Sequence, residues 1–151
     1  MVNPSTATEE KNDPTITRLM GFAAREGWAE VCILNLFARR GTDKQKFLEF
    51  AAENYAGAVG PENDAVFRDI LYSWADAALV AWGTLPTWAL KRTLQVFRML
   101  DASGRPVFSL GDLTQDKQPR HPLYLPANTL LVARSPSKAI KRLRAGGVSS
   151  L

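Results

Sequence analysis

His121 is the only histidine in the chain and sits between Pro119 and Pro122 in KQPRHPLYLP, residues 117–126. Flanking prolines fix φ and remove backbone donors, so this stretch is neither helix interior nor central strand but a loop. An imidazole displayed there can donate to a developing oxyanion. The apolar run Val107–Leu110 precedes the loop and the run Thr129–Ala133 follows it. Loops at the carboxyl ends of strands are where open α/β sheets place their chemistry. Three other polar features also close apolar runs: Asn3 with Ser5, Asn35 in VCILNLF, and Trp82-Gly83 in ALVAWG. Parallel strands share one carboxyl edge, so these four features should converge on a pocket of amides, an imidazole and an aromatic.

The elements that must position them follow from periodicity. Residues 3–15, NPSTATEEKNDPT, hold two Asn/Asp-Pro steps and read as a polar loop. Ile16, Leu19, Met20 and Ala23 recur at helical spacing, with Thr15 as a cap and Gly27 as a stop. Val31–Phe37 is apolar on both faces and predicts a buried parallel strand, in which Cys32 reads as a small core residue. Arg39, Arg40, Gly41 and Thr42 form a basic turn, and Asp43 caps a helix to about Asn54 that buries Phe47, Leu48 and Ala51. Pro61, Glu62 and Asp64 open another helix, which presents Val66, Ile70, Leu71 and Trp74 on one face; Asn63 and Asp64 read as helix-start residues. A strand over Ala77–Trp82, a helix over Leu85–Leu100 and a strand over Arg105–Leu110 come next. Thr129–Ala133 reads as an edge strand and Pro136–Arg144 as a basic helix.

Alternation of buried strands with amphipathic helices predicts a three-layer α/β/α fold with a mostly parallel sheet of about four strands. The expected organisation is one α/β domain over residues 1–133 with a basic C-terminal segment over 134–151. Of 19 Lys+Arg, five lie in that segment with no acid, which leaves 14 against 15 acids elsewhere. The basic segment reads either as an electrostatic contact to nucleic acid or as a solvated helix end. Hydrophobic content of 46% with 23% charged residues is globular, and no apolar run is long enough to span a bilayer. A soluble, cytoplasmic protein is expected, with no membrane partner. No His/Cys cluster or glycine-rich phosphate loop exists, so neither a metal site nor a cofactor is expected. Asn35 reads as a pocket residue or a satisfied structural amide. Trp82 reads as a core or rim aromatic, with base stacking as the alternative.

The stretches NPSTATEEKNDPT, VCILNLFARRGTD, VGPEND, LVAWG and QPRHPLYLP together resemble the bacterial and phage family called domain of unknown function 1643, over nearly the whole chain. More loosely, the same milestones resemble the uracil-DNA glycosylase superfamily. The pieces are Asn3-Pro4-Ser5, Asn35 in ILN, Trp82-Gly83 in VAWG, and His121-Pro122-Leu123. That resemblance implies a glycosylase-like sheet whose first strand is missing, or is completed by residues 129–133 or by another subunit. It implies a nucleobase-recognising protein, with Asn3 and His121 in the catalytic positions. Ser5, Asp13, Asn35, Trp82 and Gly83 would bind the base or ligand, and Arg39, Arg40 and Arg120 would contact phosphates. The implied activity is hydrolysis of an N-glycosidic bond; the alternative is a non-catalytic module that binds a nucleotide, nucleic acid or partner protein. Asn3 stands where the most active glycosylases carry aspartate, and HPLYLP lacks the serine pair of their loop.

Overall fold

The computed structural model describes residues 1–4, 13–41 and 43–148. Ser5 and Thr42 lie outside the described residues. The fold is mixed α/β around a three-stranded open sheet of order β1-β2-β3. Strand β1, Ala78–Val80, pairs parallel with β2, Val107–Leu110, with Leu79 opposite Phe108. Strand β3, Leu131–Arg134, pairs antiparallel with β2, placing Ser109 opposite Val132. The mixed three-stranded sheet replaces the expected mostly parallel sheet of four.

The difference lies at residues 31–35. Despite their β-forming composition they belong to no strand and form no ladder with another described strand, which corrects the buried parallel strand expected over Val31–Phe37. Instead residues 34–37 take up Met1 and Val2. The Met1 nitrogen donates to Leu34 O (2.9 Å), Leu36 N to Met1 O (2.9 Å), and Phe37 N to Val2 O (2.9 Å). The first two bonds flank Asn35 in the slanted pattern of parallel strands. Cys32 is exposed, which corrects its reading as a core residue. Without a ladder on that side, the run has one wall open.

Helix α1, Pro14–Glu26, starts where Asp13 Oδ1 accepts from Thr15 N (2.7 Å), so the cap is Asp13 and not Thr15. It ends at Gly27, whose φ of 70° suits a residue without Cβ. Leu19, Phe22 and Ala23 are buried, whereas Met20 points to solvent. Helix α2, Lys44–Glu53, is capped by Asp43 through Gln45 N and Lys46 N, and α3, Tyr55–Val59, follows directly. Helix α4, Asn63–Asp69, runs into a π-helical turn, Ile70–Trp74. Leu71 faces inward as expected, joined by Phe67, whereas Val66 and Trp74, expected on the same face, are exposed. The wider π turn shifts the facing of residues toward its end, including Trp74.

A 3₁₀ turn at Thr87–Ala89 leads into α5, Leu90–Ser103, which buries Leu94, Val96, Phe97 and Leu100. Helix α6, Pro136–Ala145, packs on α5 through Ala139, Ile140 and Leu143. The main core joins these helices to Leu36, Phe37, Phe47 and Val107. Each such fully buried side chain contributes about 1.5–3 kcal/mol. A smaller cluster of Phe22, Leu110 and Leu125 ties α1 to the end of β2. Among the described residues no helix is long and apolar enough to cross a membrane.

The strongest polar feature of the interior is Arg92, fully buried on α5. Its Nε donates to Leu36 O (2.6 Å), and its Nη1 donates to Asp64 Oδ1 (2.5 Å) and Gln95 Oε1 (3.1 Å). Asn63 Nδ2 donates to the carbonyls of Asn35 (3.2 Å) and Leu36 (3.1 Å). The two side chains replace, for the end of the 31–37 run, part of the hydrogen bonding that a ladder would supply.

Candidate loop site at the carboxyl edge

Strands β1 and β2 are parallel, so the loops that follow them emerge at one edge. Gly83 lies just after β1, and His121 lies in the long loop after β2. Gly83 N donates to Pro119 O (3.0 Å), which joins the two loops through their backbones. Gly83 has a φ of 79°, and a Cβ built on it would stand 3.2 Å from His121 Cβ. The glycine is required twice, by its left-handed backbone and by the imidazole packed against it. Gly83→Ala is therefore expected to cost about 1–3 kcal/mol of stability. The substitution should also move the His121 ring resonances, read by urea unfolding and NMR; unchanged ring signals would contradict the contact.

The histidine loop is held from three sides. Gln118, buried, brackets Leu85 by accepting from its N–H and donating to its carbonyl, both at 3.0 Å. A 3₁₀ turn, Pro122–Tyr124, starts at His121 itself. From α1, Arg18 donates to Leu125 O and Arg25 Nη1 to Ala127 O (2.6 Å). These charged donors strengthen bonds to backbone carbonyls.

His121 is half-buried, and Leu123 N donates to its Nδ1 (3.4 Å). A nitrogen that accepts carries no proton, so the neutral ring carries its proton on Nε2. Burial lowers the imidazole pKa below 6.5, the N-terminal ammonium and Lys44 lower it further, and Asp13 opposes them. The ring is a neutral donor near pH 7. Met1, Asp13 and Lys44 are thus within electrostatic reach of His121.

The Met1 nitrogen is enclosed although the residue as a whole keeps partial exposure, and burial lowers its pKa from 8.0 to about 5. Both groups therefore favour their neutral forms in the fold. As pH falls, the unfolded chain binds protons first, at pH 8.0 for the amine and 6.5 for the imidazole. Stability is fully present above those values and is lost as pH falls toward the folded values. For the amine the full loss, reached near pH 5, is about 4 kcal/mol. The thermal midpoint should drop between pH 8 and 5, and His121→Asn should flatten the lower part of that drop. A midpoint level across this range would contradict both assignments.

The other expected site residues divide. Asn3 Nδ2 donates to Gly41 O (2.9 Å) and Pro4 O (3.2 Å), so Asn3 braces the basic turn after the 31–37 run. Asn35 lies at the Met1 bridge, its carbonyl held by Asn63. Among the described residues its side-chain amide has no hydrogen-bond partner. Asp13 caps α1 within electrostatic reach of His121. Trp82 is turned away into the core, edge-on to Phe97 at 5.4 Å, with its indole N–H unpaired among the described residues. Arg39 lies over the Phe50 ring at 3.7 Å, Arg40 is exposed, and Arg120 Nε donates to Asp112 O (2.9 Å). Arg92 and Gln118 were not singled out by sequence. Arg92 carried a signal, because it falls on the buried α5 stripe with Val96 and Met99 at i+4 and i+7. Gln118 carried none. Among the described residues no three His, Cys, Asp or Glu side chains gather as metal ligands.

Fold and site thus define a mixed α/β protein with a histidine-bearing loop site at the carboxyl edge of its parallel strands. Residues 1–123 match the family model described as "Protein of unknown function (DUF1643)", and the chain belongs to that family. No curated protein and no solved structure gives a significant match.

Proposed function

We propose that the loop site recognises a nucleobase, in a nucleotide or in nucleic acid, and assists cleavage of its N-glycosidic bond. The observation that carries the reading is His121, held on Gly83 with Nδ1 committed to Leu123 N and a proton left on Nε2. A neutral N–H donor suits a base oxygen that gains negative charge as the glycosidic electron pair leaves with the base. The Asn35 amide, unpartnered among the described residues, offers a donor and an acceptor to the base edge. With Asn3 Nδ2 committed to two carbonyls, its Oδ1 remains to orient a water that adds to the anomeric carbon. Exposed Arg40 is the phosphate contact that this arrangement favours most, because Arg39 and Arg120 already have partners. On a nucleic acid, the base would have to be flipped out of its stack.

A second reading, a non-catalytic module binding a nucleotide with the same residues, is favoured by Asn3 itself, since an amide is no general base. One experiment separates the two. Single- and double-stranded DNA containing uracil, hypoxanthine or a modified base is incubated with the protein and treated with alkali. Strand breaks at the base support hydrolysis. A raised thermal midpoint with a nucleotide, without breaks, supports the binding module. If neither occurs across the panel, the nucleobase reading falls.

A further inference from the structure

On the leading flank of the histidine loop, α5, α6 and the turn at residues 116–119 surround a cavity of about 30 Å³. At about 10–15 Å³ for each water-sized occupant, it admits about two such atoms. Its inner wall includes Trp82, Thr93 and Phe97, and its mouth carries Asp116, Lys117 and Arg142, all exposed. A nucleobase or an apolar ligand is too large for it. A monatomic ion, or one corner of a larger group, is not.

The inner wall lacks an acceptor. The Trp82 side chain can only donate, the residue is 4% exposed, and its Nε1 has no hydrogen-bond partner among the described residues. Polar neighbours in the wall are turned elsewhere: both ends of the Gln118 amide bracket Leu85, and the Thr93 hydroxyl donates to Leu90 O (2.8 Å). A buried donor left unpaired is costly, so an occupant that accepts is stabilised there.

The mouth selects the charge of that occupant. Arg142 Nη2 donates to Lys117 O (3.0 Å), and the rest of the guanidinium has no acceptor among the described residues. Burial and the nearby Arg134 both push the Arg142 pKa below 12.5, the mark of a cation crowded by like charge. Asp116, the acid of this lining, forms no ion pair among the described residues. A water would satisfy Trp82 and leave the guanidinium unmatched; an anion answers both.

We propose that this cavity is a small-anion site, in which a chloride ion or one oxygen of a phosphate or carboxylate accepts from the Trp82 indole N–H and is held at the mouth by Arg142. Pro119, whose carbonyl accepts from Gly83 N, belongs to the same lining, so the occupant braces the flank from which His121 is presented.

The test follows the indole N–H resonances of the full chain in a zwitterionic buffer without salt, with that of Trp82 identified by its contact to the Phe97 ring. Sodium chloride, sodium phosphate and sodium acetate are added separately. At least one should move the Trp82 resonance saturably at millimolar concentration, while those of Trp28, Trp74 and Trp88 stay in place. Saturation by chloride assigns a monatomic ion; saturation by phosphate or acetate without chloride assigns the oxygen of an acidic group. Arg142→Gln can still donate to Lys117 O and should weaken the response by about tenfold. A Trp82 resonance that no anion moves, or that moves together with the other indoles, overturns the proposal. So does an unchanged midpoint in Arg142→Gln. If Asp116→Asn moves the resonance without salt, Asp116 is the acceptor; if a water contact persists in every salt, the occupant is water; either result overturns the anion. The nucleobase reading is decided separately, by base release and nucleotide binding.

Discussion

Arg92→Ala is expected to destabilise the protein by about 4 kcal/mol, a large part of the 5–15 kcal/mol typical of a domain. Two losses add. Removing a fully buried side chain leaves a cavity among Leu36, Phe67 and Val96, and it strips Leu36 O of its 2.6 Å donor. Asp64 loses its cation too, but its side chain is 37% exposed and water can replace the guanidinium there. The reverse variant, Asp64→Asn, keeps an acceptor for Nη1 and should cost only about 1–2 kcal/mol. Arg92→Lys should recover little, because a single ammonium cannot span the Leu36 carbonyl, Asp64 and Gln95 together. Urea unfolding of the three variants checks the order. If Arg92→Ala loses less than Asp64→Asn, the guanidinium is not what holds Leu36 in place.

His121→Ala is the second large effect. If the site cleaves glycosidic bonds, losing the Nε2 donor should slow base release by about 10²–10³-fold while leaving the urea midpoint nearly unchanged. The fold should tolerate it because the ring is half-buried and is held among the described residues by the 3.4 Å contact from Leu123 N. His121→Gln keeps an N–H donor and should retain more activity than alanine. The wild-type rate should hold near neutrality and change as pH falls through the depressed imidazole pKa, a feature that both variants should lack. Where only binding occurs, the same substitution should weaken a nucleotide by about tenfold. An alanine variant as active as the wild type would remove His121 from the chemistry.

Much of this arrangement was legible in the sequence because it rests on local signals. The prolines around His121, the Asp43 cap, the Gly27 stop and the apolar runs at 78–82 and 107–110 each encode their conformation within a few residues. The apolar, β-forming character of 31–37 was legible for the same reason, yet the absence of a strand there was not. A ladder depends on a partner elsewhere in space, and β-rich composition cannot say whether that partner is there. The exposure of Cys32 follows from the same non-local cause, an open wall at 31–35, and that of Trp74 falls at the end of the π turn that continues α4. Within the candidate site, Gly83 and His121 meet because two parallel strands deliver them to one edge. Trp82, one residue away, turns instead into the core, edge-on to Phe97. The mutual dependence of Arg92, Asp64 and Leu36 spans three separate elements, and only the fold reveals it.

The grip of α1 on the histidine loop has a kinetic consequence. Arg18 and Arg25 hold Leu125 and Ala127 by their carbonyls, and Gln118 holds the other flank, so the imidazole is presented by a loop anchored on both sides. Such a loop need not close over a ligand before the ring is in place. Capture at this edge should then be limited by diffusion and orientation, about 10⁵–10⁷ M⁻¹s⁻¹, with little slow rearrangement after encounter.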